Sequence, residues 1–271
     1  MIDLLRIYYA NIVAGCLAAA ALSLIGCQLA ARDRSMHTLC VSQGMMFGVL
    51  VGIVLFGDAR TSLPYITGLL MAIFVGALTE WITKSVVSSI SSYFVAFFLL
   101  ILAGNHILGS LFPSVSSHLT QVFYGDLATV SAEQSWTSSV VSAAVLALLA
   151  IFHRHLSNQS FERFAFPEDA SLLSSSRIKP WLRAIEVSLF LYLCYAIQVF
   201  GFLFTISSLF VPTVFLSLRR GRPGIYRHLA RSALVMGLAV GIGLPLTLSF
   251  DNLPTVPTVA TVAMLLAMLL P

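Results

Sequence analysis

Apolar blocks of about twenty residues, recurring along nearly the whole chain, constrain this sequence more than any other feature. A helix needs about 20 mostly apolar residues to cross the hydrocarbon core of a bilayer. Blocks that qualify run near 9–31, 38–57, 63–83, 87–111, 137–153, 183–203, 229–249 and 254–270. A further segment, 204–218, is shorter and carries Pro212. Composition agrees: the 271 residues are 58% hydrophobic and only 10% charged, whereas a soluble domain carries roughly 25% charged residues. The chain is therefore expected to be an all-α integral membrane protein with eight to nine transmembrane helices. Residues 1–271 read as a single transmembrane domain.

Charge asymmetry predicts the topology. Arg32 and Arg34 follow the first block, Lys84 the third, and Arg154, Arg163, Arg177, Lys179 and Arg183 the fifth; Arg219, Arg220, Arg222, Arg227 and Arg231 precede the penultimate one. Asp58 with Arg60, Asp126 with Glu133, and Asp251 occupy the opposite loops. Placing the basic loops in the cytoplasm puts the amino terminus outside and the carboxyl terminus inside. That parity requires 204–218 to cross, giving nine crossings. Trp81 and Trp181 then fall at the inner interface and Trp136 at the outer one. The net charge of +4 comes from loop residues and is no nucleic-acid signal.

Leu24-Ile25-Gly26-Cys27 has the look of a lipoprotein cleavage box. The start is not basic enough and the apolar core too long for a signal peptide, so this block reads as a first span with a small-residue face. Cys16, Cys27, Cys40 and Cys194 lie in or beside apolar blocks without a CxxC pair, implying neither a disulfide framework nor a zinc knuckle.

Chemistry-bearing motifs are scarce. There is no GxxxxGK[ST] phosphate loop, and neither HExxH nor GxSxG occurs. Ser85, Ser88, Ser89, Ser91 and Ser92 lack a histidine in the same span and read as helix-packing hydroxyls. Glu80 and Glu186 sit near inner span ends, where snorkelling or pairing with a neighbouring Lys84 or Arg183 is the default. The external segment 105–136 is too long for a hairpin and is expected to hold short helices around an outer vestibule. His106, His118, Asp126 and Asp251 could draw a cation to that outer mouth, although solvated loop residues are the plainer reading.

The other unusual stretch is Phe161–Lys179, a polar interruption on the basic side. Phe161, Phe164 and Phe166 stand there among Glu162, Arg163, Glu168 and Asp169. Exposed aromatics mark an interaction surface. With no phosphate loop in the chain, this element reads as the cytoplasmic dock for a soluble partner that supplies energy.

Several stretches, in order, resemble the permease subunits of bacterial ATP-binding-cassette importers for zinc, manganese or iron. They are Arg34-Ser35 with Val41-Ser42-Gln43 and Phe47-Gly48-Val49; Phe123 to Ser131; Phe166-Pro167-Glu168-Asp169-Ala170; Leu209-Phe210-Val211-Pro212-Thr213; and Leu248 to Pro254 with Pro257. The resemblance implies a permease fold like that of metal-chelate and vitamin B12-type importers. It implies a multi-pass protein of the bacterial inner membrane, not itself an enzyme and binding no cofactor. ATP and Mg would be used by a separate cytoplasmic subunit present in two copies, gripping Phe161, Phe164 and the 166–170 element. A second permease copy or a paralogue, an external solute-binding protein and membrane lipid complete the implied partners.

This sequence departs from the resemblance at the usual metal ligands. An acid and a histidine one helical turn apart lie on one face and suit a divalent transition metal, but the matching positions here are Leu39 and Gln43. The acid usual at the start of the fourth span is also missing. The candidate translocation path is therefore Leu39, Cys40, Gln43, Met46 and Pro212, with packing by Cys40, Gly44, Gly48 and Gly52 as the plainer reading of the second span. Three explanations fit: a metal that passes hydrated or briefly held by Cys40, Gln43, Met45 and Met46; a non-metal or metal-complex substrate; or a non-identical partner permease that keeps the ligands. Soft Cys and Met side chains would favour Cu(I), though a Met pair more often fills a core. A proton-driven secondary transporter or an intramembrane enzyme would need buried acids or histidines at mid-span, and these are nearly absent.

Overall fold

A computed structural model describes residues 7–31, 34–57, 63–85, 90–113, 115–116, 118, 123, 125, 127–165, 179–217, 225–250 and 253–269. Nine long helices run through the described residues: α1 (Tyr9–Ala31), α2 (Ser35–Phe56), α3 (Leu63–Ser85), α4 (Ile90–Leu111), α5 (Ala132–Ala165), α6 (Lys179–Phe200), α7 (Phe202–Ser217), α8 (Ile225–Ser249) and α9 (Thr255–Leu269). Seven are long and apolar enough to cross a membrane. The other two, α7 with 16 residues and α9 with 15, rise only about 24 and 22 Å. Both fall short of a bilayer core of about 30 Å. The short seventh element matches expectation. The ninth follows its apolar block, Thr255–Leu269 against 254–270.

Local stops follow from backbone chemistry. Gly57, at φ 69°, closes α2 in the left-handed region, and its N–H donates to the Ile53 carbonyl at 2.9 Å. Only glycine enters that region freely. Gly201, at φ 86°, separates α6 from α7, its N–H donating to the Ile197 carbonyl at 3.0 Å. Inside α7, Pro212 has no N–H to donate to the Ser208 carbonyl.

The chain forms two compact units. One comprises Met1–Asp33 and Asp126–Pro271, the other Arg34–Gly125. In the first unit α1 is central, packing against α5, α7 and α8, with α9 covering α7 and α8. Burying apolar surface gains little where the solvent is lipid, so association rests on close approach and polar clasps. Alanines at 14, 18 and 21 of α1 are fully buried. At Gly26 a β-carbon would collide with the Leu209 carbonyl oxygen and lie 2.5 Å from its carbon, so the α1 and α7 backbones touch directly.

The second unit is a three-helix cluster in which α2 packs on both α3 and α4. Gly44, Gly48 and Gly52 form a stripe of α2 against α3. A β-carbon at Gly48 would sit 2.7 Å from the Thr67 carbonyl oxygen, and one at Gly44 2.6 Å from a Val75 methyl. Packing is thus the role of this stripe, as the sequence implied. Val49, Leu50, Ile53 and Val115 form an apolar cluster at its far end, with Tyr65 and Leu108 against it.

Helix-end pairings agree with the charge-derived topology within each unit. Arg34, before α2, pairs with Glu80, late in α3, at 3.6 Å. Those two ends therefore lie together, and the Lys84 side chain expected near Glu80 lies outside the described residues. Tyr9 at the start of α1 stacks at 6.5 Å on Trp136 near the start of α5. Trp81, Trp136 and Trp181 are all exposed, as interfacial anchors require.

Candidate functional site

Along α2, the side chains expected to line a path divide between different neighbours. Cys40 is buried and its thiol donates to the Phe94 carbonyl of α4 at 3.4 Å. Gln43 is fully buried and accepts, through Oε1, a 3.0 Å hydrogen bond from Nδ2 of Asn105 in α4. Met46 is buried and Leu39 half-buried. Cys40, Gln43 and Met46 therefore sit in helix packing in this state and not on an open wall. His37, one turn before Val41, places Nε2 3.3 Å from the Gly76 carbonyl and meets Phe94 edge-on at 6.3 Å.

The amide pair is incompletely satisfied. Among the described residues, Gln43 Nε2 and Asn105 Oδ1 have no hydrogen-bond partner, nor does Ser42 Oγ, and all three residues are fully buried. Exchanging both amide orientations swaps which atoms are free but still leaves one NH2 and one carbonyl unmet. Such groups are uncommon in interiors and costlier in a membrane. Among the described residues, no three His, Cys, Asp or Glu side chains converge to hold a metal ion. Leu39 has no lone pair to offer, and Ser42 and Gln43 add a neutral hydroxyl and amide beside the Cys40 thiol.

In the other unit, Pro212 is buried in α7 beside Thr213. Cys27 of α1 lies 3.4 Å from both Thr213 Oγ1 and Ser232 Oγ of α8, and Cys16 donates to the Gly237 carbonyl at 3.3 Å. These contacts tie α1, α7 and α8 together. On α5, Ser138 pairs with the Tyr195 hydroxyl at 2.8 Å and Ser142 with the Tyr192 hydroxyl at 2.9 Å. A second clasp sits at the outer end of α1. There Asn11 Nδ2 donates to the carbonyls of Leu127 at 2.9 Å and Val130 at 3.0 Å, while Asn11 Oδ1 accepts from Ser135 at 2.9 Å. The 127–130 turn is pinned in this way to the first helix, and a β-carbon at Gly15 would meet Leu127 at 2.5 Å.

Of the four outer-mouth residues, two fall among the described ones. His106 lies on α4, exposed, because that helix runs to Leu111 and shortens the external segment. His118 is half-buried in a short helical stretch. Asp126 and Asp251 fall outside the described residues. Of the docking stretch, Phe161 and Phe164 continue α5 and do not open a separate loop element, since that helix persists to Ala165. Phe166, Pro167, Glu168, Asp169 and Ala170 lie outside the described residues. The apolar part of α5 ends at Phe152, so 13 further residues, 153–165, project about 20 Å beyond it.

Asn11, Ser42 and Asn105 were not singled out from sequence. An asparagine in an otherwise apolar span is the available signal, because a polar side chain in lipid requires a partner. Pairing Asn105 with Gln43 required the tertiary structure.

Comparison with solved structures finds a chain of PsaBC from Streptococcus pneumoniae in complex with Fab, at TM-score 0.75 and 19% identity over 98% of this chain and 92% of that one. At that identity the likeness establishes the permease fold. Comparison with curated proteins finds no match. The model of the ABC 3 transport family matches residues 5–270, and this multi-pass protein of the bacterial inner membrane belongs to the ABC 3 transport family.

Proposed function

We propose that this chain is the translocating subunit of an importer for a divalent transition metal ion. The cargo, zinc, manganese or iron, is handed over by an external binding protein. The chain works beside a second permease copy or a paralogue, and two copies of a separate ATPase drive it from the cytoplasm. It binds no cofactor and performs no catalysis itself; ATP and Mg act in the partner. Rocking of the permeases exposes the path alternately to either side.

The observation that carries this reading is the family match over residues 5–270. The five sequence blocks resembling metal-ion importers supply the cargo class. The extension of α5 beyond Phe152 supports a cytoplasmic dock, since it carries Phe161 and Phe164 beyond the apolar span. The binding protein docks on the 105–136 and 250–254 surface, of which the 127–130 turn is pinned to α1.

A second reading, cargo carried as a complex or as a non-metal solute, is favoured by the neutral Leu39 and Gln43. Reconstitution of the permease with its ATPase and binding protein in proteoliposomes separates the two. ATP-dependent uptake of Mn2+, Zn2+ or Fe2+ supports the importer of ions. Uptake of none of them, or uptake driven by a proton gradient without ATP, refutes it.

A further inference from the structure

We propose that Arg227, His228 and Arg231, at the basic end of α8, form a binding site for the phosphate of an anionic phospholipid in the inner leaflet. This assignment holds whichever cargo is carried.

Arg219, Arg220, Arg222, Arg227, His228 and Arg231 crowd into residues 219–231, and no acidic residue occurs between Glu186 and Asp251. These cations therefore have no acid near them along the chain. On a helix, residues three and four apart are neighbours, so Arg231 stands on the same side of α8 as His228 and Arg227. Arg227 is exposed, and His228 and Arg231 are half-buried. None of the three has a hydrogen bond or ion pair among the described residues.

Depth in the membrane selects the partner. The membrane-spanning stretch of α8 is Tyr226–Ser249, and Arg231 lies only about 9 Å along the helix from Ile225. The next residue, Ser232, is 3.4 Å from Cys27, close to the end of α1 at Ala31. The three cations thus sit where the inner ends of α1 and α8 meet, at the level of the lipid headgroups. Tyr226 beside them is exposed, as an aromatic at the interface is. The charged extension of α5, by contrast, projects about 20 Å past its apolar part, which is the reach that a soluble partner needs.

An unpaired guanidinium at headgroup depth calls for an anion. Its planar fork donates two parallel hydrogen bonds to a phosphate, and His228 adds a ring N–H in either tautomer. The inner leaflet supplies phosphodiesters of net negative charge at that depth. A zwitterionic headgroup carries the same phosphate but covers it with its own cation, so the site favours the anionic lipid.

The test uses the intact permease–ATPase complex in detergent, titrated with dioleoylphosphatidylglycerol or dioleoylphosphatidylcholine, with bound lipid counted by native mass spectrometry. Wild type is expected to bind the anionic lipid roughly tenfold more tightly than the zwitterionic one. Arg227→Gln with Arg231→Gln removes two surface cations, and a roughly thirtyfold weaker affinity for phosphatidylglycerol is expected. Arg183→Gln, which removes a cation from the start of α6, should leave that affinity nearly unchanged. Equal binding of the two lipids by wild type overturns the proposal, as does an equal loss in the Arg183→Gln control. Loss of the ATPase from the double variant with lipid binding intact also overturns it, because the patch then faces the protein partner. If the glutamine variant does not insert, Arg227→Lys with Arg231→Lys keeps the charge that sets topology and removes the planar forks. Weaker phosphatidylglycerol binding by that variant supports the site, and unchanged binding overturns it.

Discussion

Gly26→Ala is the most economical probe of the fold. The added β-carbon would overlap the Leu209 carbonyl oxygen and stand 2.5 Å from its carbon and 2.8 Å from its α-carbon. All three are backbone atoms of α7, so no side-chain rotation relieves the contact. Carbon atoms rest about 3.5–4.0 Å apart, so the two helices must separate by about 1 Å. A gap of 0.5–1 Å forfeits a quarter to a half of the dispersion well for atoms along the seam. Overpacking costs about 1–3 kcal/mol, and a backbone collision belongs at the upper end. About 3 kcal/mol corresponds to roughly a hundredfold in the folding equilibrium. Gly237→Ala is the matched control, because a β-carbon there meets nothing within 4 Å. Replacing a helical glycine by alanine in open space gains about 0.5–1 kcal/mol. Thermal denaturation in detergent, followed by size-exclusion chromatography, should show Gly26→Ala lower than wild type by on the order of 5 °C or more. Gly237→Ala should be unchanged or higher. A Gly26→Ala midpoint equal to that of Gly237→Ala would refute direct α1–α7 backbone contact.

Three further outcomes follow from particular contacts. Asn11→Ala leaves the Leu127 and Val130 carbonyls and the Ser135 hydroxyl short of a partner, a loss of about 2–3 kcal/mol. Limited proteolysis should then cut faster in the 127–130 turn, and an unchanged cutting rate would argue against the clasp. A double-mutant cycle on Ser142→Ala and Tyr192→Phe should return a coupling of about 0.6 kcal/mol, as interhelical hydrogen bonds in membranes do; zero coupling would mean that the 2.9 Å pair contributes nothing to stability. Phe166→Ala or Pro167→Ala should abolish uptake while leaving membrane insertion intact. Unchanged uptake together with unchanged co-purification of the ATPase would remove this stretch from the docking surface.

Much of the architecture is legible in the chain because lipid imposes one simple demand, that every backbone polar group be satisfied within a helix. The apolar block at 63–83 and the helix Leu63–Ser85 begin at the same residue, and the block at 9–31 becomes Tyr9–Ala31. Pro212 and the shortness of its segment mark α7 in advance, and the basic loops assign the sides. The stripe Gly44, Gly48, Gly52 announces a close helix contact because four-residue spacing places all three on one face. Family kinship is legible too, as ordered short blocks. Other features lie beyond that logic. That α5 continues to Ala165 is invisible to hydropathy, since a helix may outlast its apolar part. That Glu80 meets Arg34, that Asn11 holds a turn 116 residues away, and that Gln43 closes on Asn105 depend on which helices become neighbours. Periodicity within one helix carries no information about the register of another, and hydrogen bonds of about 3 Å are decided by that register alone. At the candidate site, residue types were therefore readable one by one, while the unmet amides that give the site its chemistry arise only where α2 and α4 meet.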